Sequence, residues 1–404
     1  MLHLSDVETA AAVVRPVIHH TPLMTCRTIE ERLADGVSLR LKAENFQRTG
    51  AFKIRGAYYR MSQLTDAEKR CGVAAVSAGN HAQGVALAAQ LLGIQATIFM
   101  PETASIAKMK ATEGYGAEVV LAGKNFDESA IACHRYVAEN DAVYISPYDD
   151  DGVIAGQGTL GLELLQDMPN VETVMIPIGG GGLFAGVAMA IKESRPHVRI
   201  IGVQAEGADT AARSFHAGHL LPREEPVSTI CDGIAVKSPA ARTFQYIQKY
   251  ADDVVTVSDF AVAEAMLLLV ERAKLVVEPS GAAGLAALLA GKADARGETA
   301  VILCGGNIDA LRLADIAQRE MLRADRYLHL FTACDDRPGS LARLLEVVAT
   351  ERGNVITVSH NRLSPHIALG KTRIELLIEV RDRSHREQIL TALRGDGYPV
   401  ETLL

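Results

Sequence analysis

Residues 173–190 read "TVMIPIGGGGLFAGVAMA". An apolar, partly β-branched run ends in four consecutive glycines, Gly179, Gly180, Gly181 and Gly182, and an apolar helical pattern opens directly after them. A strand apolar on both faces that passes straight into a helix is the βα half of a βαβ unit, the building block of parallel sheets covered on both sides. The glycines also carry chemistry. Lacking Cβ atoms, they let backbone N–H groups approach an anion, and the dipole of the following helix favours negative charge there. The stretch has neither the lysine and hydroxyl of a Walker loop nor the spacing of a dinucleotide fingerprint, so a single phosphate is the expected ligand.

The same alternation runs outward in both directions. From Gly72, "GVAAVS" leads to "HAQGVALAAQLLG", "ATIFMP" to "SIAKMKATEGYG", and "EVVLAG" to "NFDESAIACHRYVAEN". "AVYISP" and a helix over about 154–168 precede the glycine stretch; "RIIGVQAE" and, at 299–306, "TAVILCGG" follow it. Ahead of all this, Ser5 and Glu8 fit a capping box, which predicts a first helix starting there. Beyond about Arg326 the pattern changes. "YLHLFTACDD", a helix in "DRPGSLARLLEVVATERG", "NVITVSHNRL", "KTRIELLIEV", a helix from about Ser384 and "YPVETLL" spell β-α-β-β-α-β, a ferredoxin-like unit. The chain therefore divides into an α/β body over 1–325, with a smaller lobe at roughly 50–150 inserted in a larger one, and an appended unit over 326–404.

Composition limits the function classes. The chain has 404 residues, 48% of them hydrophobic, and a formal net charge of -8, which offers no electrostatic footprint for nucleic acid. The N-terminal segment has acids early and Arg15 inside its apolar part, unlike an export signal, and no apolar run approaches a membrane span. Six cysteines without a CxxC pair predict a reduced thiol set, and hence a cytoplasmic, soluble protein. Paired histidines (His19–His20, His216/His219, His360/His366) lack cysteine or carboxylate partners at ligand spacing, so no metal site is predicted. The helix "DFAVAEAMLLLVERAK" reads as core or subunit contact.

A lysine among apolar neighbours sharpens the chemistry. In "ENFQRTGAFKIRGAYYRM", residues 44–61, Lys53 stands between Phe52 and Ile54 at the start of an apolar helix. Taken alone it would snorkel to water. Two further strand-to-helix turns change that: "VSAGNHAQG" (76–84), where Ser77, Gly79, Asn80 and His81 can present donors to a carboxylate, and "LCGGNID" (303–309). All three turns fall at strand carboxyl ends, where open α/β sheets bind ligands. One lysine, one phosphate cradle and one carboxylate turn suit pyridoxal phosphate holding an amino acid, with Lys53 as the imine-forming residue and, once freed, the base.

On "TGAFKIRGA", "SAGNHAQG", "GGGGL" and "CGGNID", the chain resembles the threonine/serine dehydratase branch of the fold type II pyridoxal-phosphate enzymes over roughly residues 5–320. From Tyr327 on, with "DRPGSL", it resembles an ACT regulatory domain. The resemblance implies a two-lobed parallel-sheet body like the tryptophan synthase β subunit, followed by a ferredoxin-like domain. It implies that Lys53 carries the cofactor, Phe52 packs on its ring, Asn80 bonds the ring hydroxyl, and Gly179–Gly182 with Leu183 hold the phosphate. The turn of Ser77, Ala78, Gly79, Asn80 and His81 would take the substrate carboxylate. Gly233 would lie on the other cofactor face, Glu278 near the wall of the site, and Cys304 opposite the pyridine nitrogen.

Departures from the relatives refine the expected reaction. Cys304 stands where many carry serine; a thiol is a weak donor, so the ring nitrogen stays largely unprotonated, which favours elimination over reactions needing a long-lived carbanion. Ala78 stands where serine racemases have a serine acid/base, and Ala212 where their metal pattern near Glu206 has an aspartate. Dehydration of threonine to 2-oxobutanoate and ammonia, with serine as a second substrate, is therefore expected. A 3-hydroxyaspartate dehydratase, a serine racemase and a non-catalytic amino-acid sensor are the alternatives. The resemblance also implies a homodimer or homotetramer, and a branched-chain amino-acid effector at Gly339, Ser340, Leu341 and Asn354.

Overall fold

The computed structural model describes residues 1–223, 225–362 and 368–402. His366 lies outside the described residues. Contacts divide the chain into Met1–Asp309 and Ala310–Leu404, so the helix Ala310–Arg323 groups with the C-terminal unit, whereas the sequence pattern changes only near Arg326.

The first unit holds two sheets. The larger has the spatial order Leu23–Met24, Val37–Lys42, Gly297–Ile302, Thr173–Pro177, Arg199–Ala205, Asp253–Val257, parallel except for the first pair. The smaller is wholly parallel, in the order Glu118–Leu121, Ala96–Met100, Val73–Val76, Val143–Tyr144. The chain thus leaves the larger sheet after Lys42, builds the smaller one, and returns at Thr173. Strands Val73–Val76, Ala96–Met100 and Thr173–Pro177 are buried at every position, as helices on both faces require.

Two expected helix starts move. The first helix is Leu4–Val14: the Asp6 carboxylate accepts from the His3 N–H at 2.8 Å, while the Ser5 carbonyl sits inside the first turn and accepts from Thr9 Oγ1. The helix expected from about 154 begins at Asp151, because Asp150 caps it by accepting from the Val153 N–H at 2.9 Å. The apolar helix at 259 runs as Asp259–Leu268 and widens into a π-turn, Leu269–Ala273. No helix among the described residues is long and apolar enough to cross a membrane.

Helix Asp151–Asp167 is the spine of the first unit, and it packs backbone against backbone on two neighbours. A methyl group on Gly156 would come within 2.6 Å of Gly56 Cα in helix Ile54–Ser62, and one on Gly186 of helix Gly182–Ser194 would overlap the Ile154 carbonyl. Glycine is what the contact demands. Beside this contact lies a buried ion network. Arg55, wholly buried, donates to both oxygens of Glu44 at 2.7 and 2.8 Å and pairs with Glu163 Oε2 at 2.9 Å. Lys42, also wholly buried, reaches Glu163 Oε1 at 2.7 Å, Asp167 Oδ2 at 2.9 Å and the Thr21 carbonyl at 2.6 Å. Burial works against the charge of Glu163, yet Arg55 and Lys42 hold its carboxyl below the ordinary value.

In the C-terminal unit the order β-α-β-β-α-β forms an antiparallel sheet: Asn354–Asn361, Lys371–Glu379, Tyr327–Asp335, Val400–Thr402. Helices Ser340–Thr350 and Arg383–Gly395 close one face over Leu330, Leu344, Val348, Ile374, Leu376 and Ile389. This is the ferredoxin-like arrangement.

Replacing Arg55 by Met strands Glu44 in the interior. The expected cost is about 3–5 kcal/mol, read as a lower urea midpoint with an unchanged slope. A midpoint equal to that of the parent protein would show that the network contributes nothing to stability.

Candidate active site

Lys53 is the residue before helix Ile54–Ser62, already in helical conformation. Its position is set by an extended segment that pairs with the end of strand Gly297–Ile302. The Leu303 N–H donates to the Lys42 carbonyl, Phe52 N–H to Cys304 O, and Gly306 N–H to Gly50 O, with a bridge between Ala51 and Gly305. On the other side, helix Asn80–Leu92 comes so close that a methyl on Gly84 would lie 3.1 Å from Lys53 Cβ. The amine donates to the Pro147 carbonyl at 2.8 Å and lies 5.2 Å from the centre of the buried Phe52 ring. Burial lowers its pKa from the usual 10.5 to about 8, against the pull of Cys304 and Glu278.

The turn at 77–81 opens helix Asn80–Leu92, with Gly79 as its N-cap residue. Ser77 Oγ accepts from the Gly79 N–H at 3.1 Å, and Ala78 contributes only a methyl group. The His81 imidazole turns inward: its Nε2 donates to the Ile145 carbonyl at 2.9 Å, so what His81 offers at the turn is its backbone N–H. Burial, then the nearby Lys53 charge, push this imidazole down to about 3 and keep it neutral. Asn80 donates to Glu278 Oε1 at 2.7 Å and accepts from Asn307 Nδ2 at 2.8 Å.

The glycines end strand Thr173–Pro177 and open helix Gly182–Ser194. Gly181, at φ +93°, occupies the left-handed region at the N-cap. Gly180 and Gly182 lie against Tyr148, Gly179 against Ile234, and Thr243 Oγ1 donates to the Gly180 carbonyl at 2.7 Å. Leu183 begins the first turn of the helix and is buried. Gly233, in the short turn Asp232–Ile234, faces Ser280: a methyl there would lie 2.9 Å from Ser280 Oγ. That hydroxyl is buried without a hydrogen-bond partner.

Cys304 is buried beside these groups, and burial drives its thiol well above the ordinary range, so the sulfur stays protonated. Glu278 precedes helix Pro279–Leu289 as its N-cap residue and is 5% exposed. Burial, with Asp232 adding to it, raises its carboxyl to about 7.

Lys53, Phe52, Asn80, Cys304, Glu278 and Gly233 are thus drawn from separate segments into one neighbourhood of the first unit. Tyr148, Ser280 and Asn307 join them without having been singled out from sequence. Asn307 lay inside the quoted "CGGNID", but nothing in a string reveals its partners; Tyr148 and Ser280 carry no motif signal. Among the described residues, His20, Glu163 and Asp167 have atoms within metal-ligating reach of one another, but Lys42 already occupies both carboxylates. Glu206 and Ala212 lie apart from such a cluster: the Ala212 N–H donates to Gln204 Oε1. The orphaned Ser280 hydroxyl, the glycine-faced turn at a helix N-terminus and the desolvated amine fit pyridoxal phosphate. The backbone N–H groups at Gly179–Gly182 would take its phosphate, and Lys53 would hold it.

Comparison with known proteins agrees with that fit. The family described as "Pyridoxal-phosphate dependent enzyme" matches residues 14–305. An L-threonine ammonia-lyase of Thermotoga maritima is 43% identical over 401 residues, covering 99% of this chain and 99% of its own. The processed form of threonine deaminase isoform 2 from Solanum lycopersicum superposes with a TM-score of 0.74 at 36% identity, over 79% of this chain and 88% of that one. Maize serine racemase superposes at 0.74 with 35% identity, over 80% of this chain and 98% of that one. The protein belongs to the pyridoxal-phosphate dependent enzymes of fold type II, and pyridoxal phosphate is its cofactor.

Proposed function

We propose that the protein is a threonine ammonia-lyase that converts L-threonine to 2-oxobutanoate and ammonia, and L-serine to pyruvate, in the cytoplasm. The observation that carries this reading is a single desolvated amine, Lys53, facing a turn whose Ala78 side chain cannot carry a proton. Full-length similarity to an L-threonine ammonia-lyase supports it.

When bound, pyridoxal phosphate supplies an electron sink that acidifies the substrate's Cα–H. The protein's own residues do the rest. The 77–81 turn orients the carboxylate with backbone donors and the Ser77 hydroxyl. Lys53, whose pKa burial brings down to about 8 so that a usable fraction is unprotonated near neutral pH, takes the proton from Cα. The β-hydroxyl then leaves as water. Cys304 stays protonated and would offer the cofactor's ring only a weak S–H donor. Racemisation needs a second proton carrier on the opposite face; Ala78 is none, and the His81 imidazole is tied to Ile145.

With threonine, serine and 3-hydroxyaspartate supplied separately, threonine is expected to give the fastest oxo-acid production. Lys53→Ala is expected to lower kcat/KM at least about 10³-fold. No oxo acid from threonine would overturn the substrate assignment and leave the cofactor intact. Uptake of pyridoxal phosphate by the apo-protein, followed by absorbance, should quicken with pH and level off above about 8, where Lys53 has lost its proton. A rate still climbing toward 10.5 would mean that the amine is not desolvated.

We further propose that residues 326–404 act as an ACT regulatory domain for a branched-chain amino acid, and that the protein assembles as a homodimer or homotetramer. A cavity of about 240 Å³ lined by Asp336, Arg337, Gly339, Ser340, Leu341 and His360, among others, supports the first proposal. Asn354 is not among its lining residues; its amide donates to Glu379 at 2.9 Å. The exposed edge strand Asn354–Asn361, with Ile356 and Val358 open to solvent, supports the second. Calorimetry with isoleucine and valine is expected to show binding to the parent protein and weaker binding after Ser340→Trp. No heat with either amino acid, together with unchanged kinetics, would remove the regulatory reading.

A further inference from the structure

Asn80 sits in a chain of side-chain amides whose polarity is set by a backbone carbonyl. The Thr49 carbonyl can only accept, so Asn307 must turn its Nδ2 toward it, at 2.6 Å. The same Nδ2 donates its second hydrogen to Asn80 Oδ1 at 2.8 Å. Asn80 is then left with its Nδ2 toward Glu278 Oε1, at 2.7 Å. One N–H of Asn80 goes to that carboxylate, and the other has no partner among the described residues. Thr49 itself holds φ at +67°, a conformation uncommon for a β-branched residue, and thereby aims the carbonyl that starts the chain. Glu278 reaches Asn80 only because residue 305 is glycine: a methyl there would lie 2.5 Å from Glu278 Oε1 and 3.0 Å from Asn80 Nδ2.

We propose that Glu278 and Asn307 are positioning residues that lock the Asn80 amide from both ends, so that it presents a fixed N–H donor to the ring oxygen of bound pyridoxal phosphate. The inference rests on the reading that Asn80 lies at the cofactor. It assigns Glu278 a role beyond that of a helix-start acid, and Asn307 a role where none was evident. Neither residue touches the reacting atoms; both act through Asn80.

The arrangement carries a pH signature. Burial, then Asp232, raise the Glu278 carboxyl to about 7, and the groups facing it are Asp232, Lys108, Lys53 and Cys304. Asp232 is itself paired with Lys108 at 3.0 Å. Above about pH 7 the ionised carboxylate holds Asn80 by a charge-assisted bond; below it the neutral acid accepts more weakly. Cofactor affinity should therefore fall as pH drops through that value.

The test is equilibrium binding of pyridoxal phosphate to apo-protein at pH 6 to 8.5, with circular dichroism to verify folding. The variants are N80A, E278A, E278Q, N307A and the double variant N80A/E278A. We expect N307A and E278A each to weaken binding about tenfold, and the double variant to bind no worse than N80A alone, because the effect passes through Asn80. E278Q keeps an acceptor oxygen and should bind within about threefold of the parent at pH 8 while losing the parent's step near pH 7. Full additivity of N80A and E278A, or an unchanged pH step in E278Q, would overturn the proposal. Binding unaffected by N80A would overturn the placement of Asn80 at the cofactor as well, and so tells the two failures apart.

Discussion

The position of Lys53 depends on an ion pair two residues away. Arg55 is wholly buried between Glu44 and Glu163, and Lys42 is buried against Glu163 and Asp167. Removing such charges from water costs more than one pair returns, so burying them makes sense only as a closed network in which each partner is satisfied. Here the closure is nearly complete. Thr21 adds its hydroxyl to Glu44 and its N–H to Glu163, and its carbonyl accepts from Lys42. The network ties segment 42–55 to the carboxyl half of helix Asp151–Asp167 in one register, since any slip would leave a charge alone in the interior. It is a specificity device whose beneficiary is the lysine beside it.

A second constraint acts along the backbone. Residues 50–52 pair with 304–306 as an irregular antiparallel extension of the sheet edge. That pairing brings three strand-to-helix turns, at 77–81, 179–182 and 304–307, to the same side of the molecule. Parallel strands all point one way, so their carboxyl ends gather N–H groups and helix N-termini at one edge. The inserted smaller sheet contributes one of these turns and the larger sheet the other two. A site between two sheets follows from topology before any side chain is chosen.

The parts legible in the sequence were those with a local signature. Wholly buried parallel strands show as apolar runs, as at 73–76, 96–100 and 173–177. Glycine turns and the β-α-β-β-α-β tail have fixed spacing. The short strands Leu23–Met24 and Val37–Lys42 have none: "VSLRLK" alternates weakly and places two cations among its six residues. Nothing in the string marks its Lys42, the nearby Glu44 and Arg55, or Glu163 in its apolar helix as partners of one another. Only the fold shows that they neutralise one another. Ser280 and Tyr148 were hidden for the same reason, because their meaning lies in neighbours far away in sequence.

One physical cause then accounts for the chemistry of the site. Four titratable groups within it, Lys53, His81, Glu278 and Cys304, all shift toward their uncharged forms: the amine to about 8, the imidazole to about 3, the carboxyl to about 7, and the thiol upward. Burial is the leading cause for each, so these are not four tuned pairs but one poorly solvated pocket acting on all of them. The consequence is selective. Burial carries the pKa values of the histidine and the cysteine far from 7, and both groups stay uncharged and drop out of proton exchange. Lysine and glutamate, which start from opposite ends of the scale, are brought close together near neutral pH. Each feels the other's charge, so the titration of one depends on the state of the other. The pocket thus needs no dedicated partner to lower the Lys53 pKa: excluding water brings the amine down to about 8, and the same exclusion leaves Glu278 with a charge that can still change near neutral pH.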